Sequence, residues 1–289
     1  MAEQKNKKPH RQKSDDVTYE PAAPIYRKQV FLVIACMIGA AIAIFLSLSI
    51  FFEVDQDEFK VQGNKMYRAD TIWEASGLQD GDSLLTFGKA KVASRIMQEL
   101  PYVKSVRIQI TLPDTVTIFV EEHKVYLVAQ DTDDAWWFLS TEGKVLEKAS
   151  EKEAQKRTVL EGFQIQSPVV GQMAVAAEPA PDEIEPDVPS FVLQTNAERL
   201  STALELSATL EKCGILGDID SIYVENLNDI RFWYGERFLV KLGDAGLMAE
   251  KVALVDGAIS TQLGSRETGI LHVSSENGIK IEFEYRIFE

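Results

Sequence analysis

Residue types that perform acid–base, nucleophilic or metal chemistry are sparse in this chain and do not converge. Of three histidines, His10 sits near the N-terminus and His123 and His272 each stand alone; no metal-ligand spacing, phosphate-cradling glycine loop or nucleophile elbow occurs. A lone histidine at a strand end is expected to be structural or exposed. Asp131, Asp133 and Asp134 precede a strand without the twelve-residue ligand loop of a calcium site, and a solvated turn is the expectation. Trp136 and Trp137 suggest stacking on a sugar, but neighbours in a strand point to opposite faces, so at most one can line such a platform. One is expected to pack in a core and the other on a sheet surface. Cys36 falls inside a long apolar run and Cys213 precedes Gly214 at a helix end, so the two cannot pair within one chain. Cys213 is expected to be a buried free thiol. The chemistry to expect therefore involves no catalytic residue, no cofactor and no metal.

What remains is the chemistry of the backbone. Near the C-terminus Ile279, Ile281, Phe283, Tyr285 and Ile287 alternate with Lys280, Glu282, Glu284 and Arg286, and Asn277-Gly278 joins this run to Ile270–Val273 as a hairpin. Such a strand either lies inside a sheet, its odd residues facing the core, or lies at an edge. An edge strand presents unpaired N–H and C=O groups that a partner strand can satisfy.

The elements that must position this strand begin with a run free of charge, Val30 to Phe52. As a helix rising 1.5 Å per residue it spans roughly 35 Å, enough for a hydrocarbon core of about 30 Å. A cleavable signal would have a shorter apolar region ending at small residues, whereas this run ends Ile50, Phe51, Phe52, Glu53. Residues 1–29 form a basic, polar head expected to be disordered and cytoplasmic, because Lys5, Lys7, Lys8, Arg11, Lys13, Arg27 and Lys28 outnumber the Lys60, Lys65 and Arg68 that follow the span. The head sums to +3 from seven basic and four acidic residues, so the remainder of a chain with net charge −15 carries −18. So acidic a body is a poor partner for nucleic acid, and the head's cations suit lipid headgroups instead.

After the span, Phe59 and Val61 alternate before Gly63-Asn64. Ile72 and Ala75 precede a Gly77 stop, and Ala93, Ile96, Met97 and Leu100 fall at helical spacing before Pro101. The period then changes to two: Val106, Ile108, Ile110 and Leu112, a turn at Pro113-Asp114, then Val116, Ile118 and Val120. This strand-helix-helix-strand-strand order is expected to be a three-stranded sheet with two helices on one face. Beyond Lys124 the expected elements are a hairpin of Trp136–Leu139 and Val145-Leu146 about Glu142-Gly143, and a helix opened by the capping box Thr195 and Glu198 with Leu200, Ala203, Leu206, Leu210 and Cys213 on one face. Strands Ile230–Tyr234 and Phe238–Leu242 follow, then a helix with Met248, Val252, Val255 and Ile259 in register. Residues 174–189 hold Glu178, Asp182, Glu183, Glu185 and Asp187 with four prolines and read as an exposed flexible loop.

At Gly63-Asn64, Ser76-Gly77-Leu78 with Gly81 and Leu84, Leu100-Pro101-Tyr102-Val103 with Val106, and Leu112-Pro113 leading to Val116, Ile118, Val120 and Glu121, the chain resembles a POTRA domain. Its place directly after one N-terminal anchor narrows the resemblance to the FtsQ/DivIB family of bacterial division proteins. The hairpin at Glu142-Gly143 and the strand, Gly243, helix passage with Lys251 are also similar to that family. The expected fold class is α+β: a tail over 1–29, a transmembrane helix over 30–52, a POTRA domain over 53–123, and a second, strand-rich domain over 124–289 that contains the acidic loop and ends in a long strand. The resemblance implies a non-enzymatic membrane scaffold at the division septum with FtsL-like and FtsB/DivIC-like partners. It favours the edge reading of the terminal strand, with Ile279, Lys280, Ile281, Glu282, Phe283, Glu284, Tyr285 and Arg286 as partner-binding residues. An anchored wall-processing enzyme or wall-binding protein is the alternative, which would need a polar cleft with paired acids; a translocation POTRA of the barrel kind would need many further strands.

Overall fold

The computed structural model describes residues 25–179, 194–264, 266–274 and 280–286. The head up to Pro24, most of the acidic loop, the Asn277-Gly278 turn, Ile279 and Ile287 lie outside the described residues.

Helix α1, Ile25–Phe51, forms a unit by itself. Its stretch from Lys28 to Leu48 has a mean hydropathy of 2.8 and side chains exposed all round. A helix apolar on every face has no core stripe to bury, and this one is long and apolar enough to cross a bilayer.

Glu53 onward forms the other unit. It opens with β1 (Lys60–Gln62), α2 (Ala69–Ser76), α3 (Lys89–Glu99), β2 (Val103–Thr111) and β3 (Thr115–Glu122). The three strands form one sheet in the order β1-β3-β2, parallel between β1 and β3 and antiparallel between β3 and β2. Because β3 is central, its inward residues Val116, Ile118 and Val120 are buried, at 0 %, 0 % and 5 % exposure. Their partners Ile110, Ile108 and Val106 sit on an edge strand and are only half-buried. Leu112, expected to continue the inward set, falls beyond the end of β2 and is exposed. Ile72 and Ala75 of α2 and Val92 and Ile96 of α3 supply the helical side of this core, with Ala93 and Met97 flanking it.

The Gly63-Asn64 turn has a steric reason. Gly63 has a φ of 88°, and a Cβ there would overlap the Val120 carbonyl oxygen as the chain crosses β3. Glu122, at the end of β3, then accepts hydrogen bonds from the amides of Lys65, Met66 and Tyr67 at 2.8, 2.9 and 3.4 Å. One carboxylate thus satisfies backbone donors that the turn would otherwise leave unpaired.

The remaining elements are β4 (Leu127–Gln130), β5 (Trp136–Leu139), β6 (Val145–Ala149), α4 (Glu151–Ala154), β7 (Thr158–Glu161), α5 (Asn196–Cys213), β8 (Ile219–Tyr223), β9 (Ile230–Tyr234), β10 (Phe238–Gly243), α6 (Met248–Thr261), β11 (Gly269–Ser274) and β12 (Lys280–Tyr285). These nine strands join one mixed sheet in the order β12-β11-β10-β9-β8-β7-β4-β5-β6. The main core lies on the face where Leu127, Leu160, Ile222, Phe232, Val240 and Leu271 meet Leu206 and Leu210 of α5 and Val252 and Val255 of α6. On β4, Val128 points to the opposite face and joins Phe138, Leu146, Ala149 and Ala154 in a smaller cluster, roofed by Tyr102 and Tyr67 from the first five elements. The expected capping box of α5 is present, with Thr195 Oγ1 accepting from the Glu198 amide at 3.1 Å and Glu198 accepting from the Thr195 amide at 2.9 Å. Cys213 packs at the rim of the main core and is half-buried rather than enclosed.

The acidic loop begins later than composition suggests. Ile165 bridges Ala176, and the Glu178 carboxylate accepts from the amides of Asn196 and Ala197 at 3.0 and 2.6 Å, where an anion suits the start of α5.

Candidate partner-binding edge

Of the eight residues expected to bind a partner, Lys280 to Tyr285 make up β12, Arg286 follows it directly, and Ile279 lies outside the described residues. Strand β12 ends the nine-stranded sheet; among the described residues no strand lies beyond it. It pairs antiparallel with β11 in the register Gly269↔Tyr285, Leu271↔Phe283 and Val273↔Ile281.

Two hydrogen bonds set the direction of its amides. The Gly269 amide donates to the Arg237 carbonyl on the β10 side, and the Arg286 amide donates to the Thr268 carbonyl on the β11 side. In an antiparallel ladder, residues alternate between pairs that exchange both bonds and pairs that exchange none. The even residues Lys280, Glu282, Glu284 and Arg286 therefore bond to β11, and the odd residues Ile281, Phe283 and Tyr285 aim N–H and C=O at the open side.

The same alternation divides the side chains. Ile281 packs against the main core beside Val273, whereas Phe283 and Tyr285 are 38 % and 63 % exposed on that face. The Phe283 ring stands edge-on to Phe238 with centroids 6.2 Å apart, and the gap between β10 and β12 is bridged by Gly269, whose absent Cβ would lie 2.6 Å from the Phe283 ring. The even face is charged: Glu284 accepts from Arg286 Nε at 2.8 Å and lies 3.3 Å from His272 Nε2. The Arg286 hydrogen bond, followed by that of His272, holds the Glu284 carboxyl below its usual range. His272, expected to stand alone, thus has an acidic partner across the strand pair.

The opposite end of the sheet differs. The outer side of β6 is occupied where the Val145 amide donates to the Gln172 carbonyl and the Gly171 amide to the Val145 carbonyl, both at 2.8 Å, and Ala174 donates to Gly143 at 2.8 Å. Among the described residues, the β6 edge is paired with the chain's own backbone at its first residue and at the turn before it, and β12 has no such pairing on its outer side.

Behind β12, α6 is held by a buried cation. Lys251, 1 % exposed, donates from Nζ to the Asp244 carbonyl at 2.8 Å and to its carboxylate at 3.0 Å, closing the loop between β10 and α6. That hydrogen bond, first among its causes, lowers the Asp244 pKa.

The other residues singled out for chemistry serve structure. Asp131 accepts from the amides of Asp133 and Ala135, each at 2.9 Å, and from Trp137 Nε1 at 2.7 Å. Burial would raise its pKa, but the bonds from Trp137, Ala135 and Asp133 outweigh that and lower it. Trp137 leans on the main core and Trp136 on the smaller cluster: the opposite faces are as expected, but both rings are half-buried against apolar clusters rather than one in a core and one on the sheet surface. The role of Gly269, Phe238 and His272 in shaping the edge carries no signal in the sequence, because each acts there through a strand distant along the chain.

Residues 55–123 match the FtsQ-type POTRA domain. The chain is 22 % identical over 250 residues to the cell division protein DivIB of Clostridium botulinum strain Hall, covering 86 % of this chain and 88 % of that protein. It is 25 % identical over 170 residues to the DivIB of Clostridium acetobutylicum, covering 56 % of this chain and 67 % of that protein. With one apolar helix before an FtsQ-type POTRA domain and a strand-rich domain after it, this chain resembles the FtsQ/DivIB cell division proteins along most of its length.

Proposed function

We propose that the chain is a non-enzymatic, single-pass scaffold that captures FtsL-like and FtsB/DivIC-like membrane proteins at the septum and so helps control septal peptidoglycan synthesis, and that the capture is strand addition to β12. The supporting observation is the position of β12 at one end of the large sheet with, among the described residues, no backbone paired to its outer side, whereas the start of β6 at the other end is paired with residues 171 and 172. Open edges invite unwanted pairing and proteins usually cover or blunt them. An edge without a partner among the described residues, six residues long and with apolar odd positions, is suited to a partner strand.

Each hydrogen bond that an added strand makes is worth about 0.5–1.5 kcal/mol net. Specificity then falls to the flanking side chains: apolar groups against Phe283 and Tyr285 on one face, charges against Lys280, Glu282 and Glu284 on the other.

Proline scanning tests the reading, because proline deletes one amide donor. In Ile281→Pro the lost donor faces the open side, so the ladder to β11 is kept and the cost is confined to the half-buried Ile281 side chain; the main thermal transition should persist while capture of an FtsB/DivIC-like partner is lost. In Glu282→Pro the lost donor faces β11, so β12 itself should detach and the domain should be destabilised. If both variants fold and capture the partner like the parent, β12 is not the docking strand, and the nine-residue edge strand β2 becomes the next candidate.

A further inference from the structure

The POTRA domain has two ends, and the chain arrives from α1 at one of them. Strand β1 runs parallel to β3, with Lys60 beside Thr117, and β2 returns antiparallel, with Val103 beside Glu122 and Thr111 beside Thr115. The residues leading into β1 and the turn 112–114 thus lie where β3 begins. At the other end of β3 the amides of Lys65 and Met66 bond to Glu122; α2 leaves from there and α3 returns to it, so the α2–α3 connection, 77–88, also lies where β3 begins. Hydrogen bonds fasten this connection to the arriving chain. The Val54 amide donates to the Asp82 carbonyl at 2.7 Å, the Gly81 amide to the Val54 carbonyl at 3.0 Å and the Gln56 amide to Asp80 Oδ1 at 2.8 Å, and Ser83 bridges Glu53. Whatever angle the domain takes to α1, the three residues from Phe51 to Val54 reach no more than about 11 Å. Glu53 is the first charged residue after the apolar run, so the hydrocarbon ends before it, and the polar layer beyond is about 5–8 Å deep.

Two leucines at this end face outward. Leu84 is buried at 3 % exposure, whereas its neighbour Leu85, two residues beyond the Ser83 tether, is 43 % exposed, and Leu112 in the β2–β3 turn is 53 % exposed. Exposed leucines are common on soluble surfaces, so exposure alone assigns nothing; their place at the tethered end is what singles these two out. We propose that Leu85 and Leu112 seat this end of the POTRA domain in the interfacial layer of the bilayer, a lipid contact separate from the span. The charges make it an apolar contact. Glu53, Asp55, Asp57, Asp80, Asp82 and Asp114 outnumber Lys89 and Lys91 at this end, and Lys60 is paired with Glu58 at 3.1 Å, so anionic headgroups are not attracted to it. A domain seated in this way places Glu122 roughly 24 Å farther along β3, and the strand-rich domain that follows is carried clear of the lipid. The inference rests on the reading of α1 as a membrane anchor and is independent of strand addition at β12.

Spin labels on the full chain in phosphatidylcholine nanodiscs test the seat, since zwitterionic headgroups give neither the acids nor the lysines a net attraction. A genetically encoded ketone, placed at one position at a time and labelled, leaves Cys36 and Cys213 untouched. Collisions of each label with oxygen, which concentrates in lipid, are compared with those of a water-soluble nickel chelate, and the ratio of the two largely cancels local crowding. Labels at Leu85 and Leu112 should give a ratio well above that at Met66, which is 57 % exposed at the Glu122 end, and below that at Phe45 in the span. Leu85→Asp, a change on an exposed loop, should shift the Leu112 label towards the Met66 value and leave Phe45 unchanged. If the Phe45 label reads as aqueous, α1 is not in the bilayer and the anchor reading falls together with the proposal. With Phe45 in lipid, aqueous ratios at Leu85 and Leu112, or a Leu112 ratio that ignores Leu85→Asp, overturn the seat alone. A Met66 ratio as high as that at Leu85 means that the domain lies flat, which overturns it too.

Discussion

Gly269 determines how the outermost strand is seated. It lies opposite Tyr285, in one of the pairs that exchange no hydrogen bonds, where facing residues approach most closely. Its missing side chain lets the Phe283 ring settle towards Phe238, a device by which an aromatic ring covers a glycine on a neighbouring strand. Gly269→Ala places a methyl group against the Glu284 carbonyl and the Phe283 ring, an overpacking that costs roughly 1–3 kcal/mol. Because β12 is an edge, the expected result is detachment of that strand alone: rapid exchange of the even amides of β12, weaker partner capture, and a preserved main thermal transition. Unchanged exchange in β12 would mean that the strand is held by contacts other than this one. Glu122 and Asp131 show the same dependence on neighbours. Each is an ordinary acidic residue in the sequence, and each becomes a turn-holding acceptor only because three donors converge on it.

The two long strands of the POTRA sheet carry the same alternation and different weight. Ile118 is fully buried at the centre of its sheet, and Ile108, its direct partner, is half-buried at the edge. Ile118→Asp should therefore remove the POTRA domain as a cooperative unit, by roughly 3 kcal/mol or more, while Ile108→Asp should cost distinctly less because an edge carboxylate can turn to water. The melting of the two variants, compared with the parent, measures the difference; equal losses would show that β2 is covered on its outer side. Elements with a strong period are legible in the amino-acid sequence: α2, α3, α5 with its capping box, α6, β2, β3, β10 and the β5–β6 hairpin. The strands β4, β7 and β8 are not. They span only four or five residues, and in β8 a register shift between Ile219 and Ser221 interrupts the alternation that would mark it. Short strands are stabilised by the sheet around them rather than by their own pattern.

For the chain as a whole, the charge bias about α1 predicts a cytoplasmic head and everything from Glu53 onward outside. Protease added to intact protoplasts should then degrade the POTRA and strand-rich domains and spare a fragment that contains the head and α1. A protected second domain would reverse the proposed topology and with it the septal reading. The anchor, the α+β class, the POTRA order of elements and the alternating terminal strand follow from properties local to the sequence: the length of an apolar run, the period of side-chain exposure, and the glycines and prolines that stop helices and make turns. Those local properties leave open whether the last strand lies inside the sheet or at its edge, because alternation is the same in both. Among the described residues, the order of the nine strands decides between them, with β12 at one end and β6, its first residue paired with residues 171 and 172, at the other. The pairing of His123 with Glu142, the grip of Lys251 on Asp244 and the seat of Phe283 over Gly269 likewise join or adjoin separate elements. Local sequence records what each segment prefers; which edge remains unpaired and which charges meet depends on packing among segments far apart in the chain, and that is decided only when the tertiary fold forms.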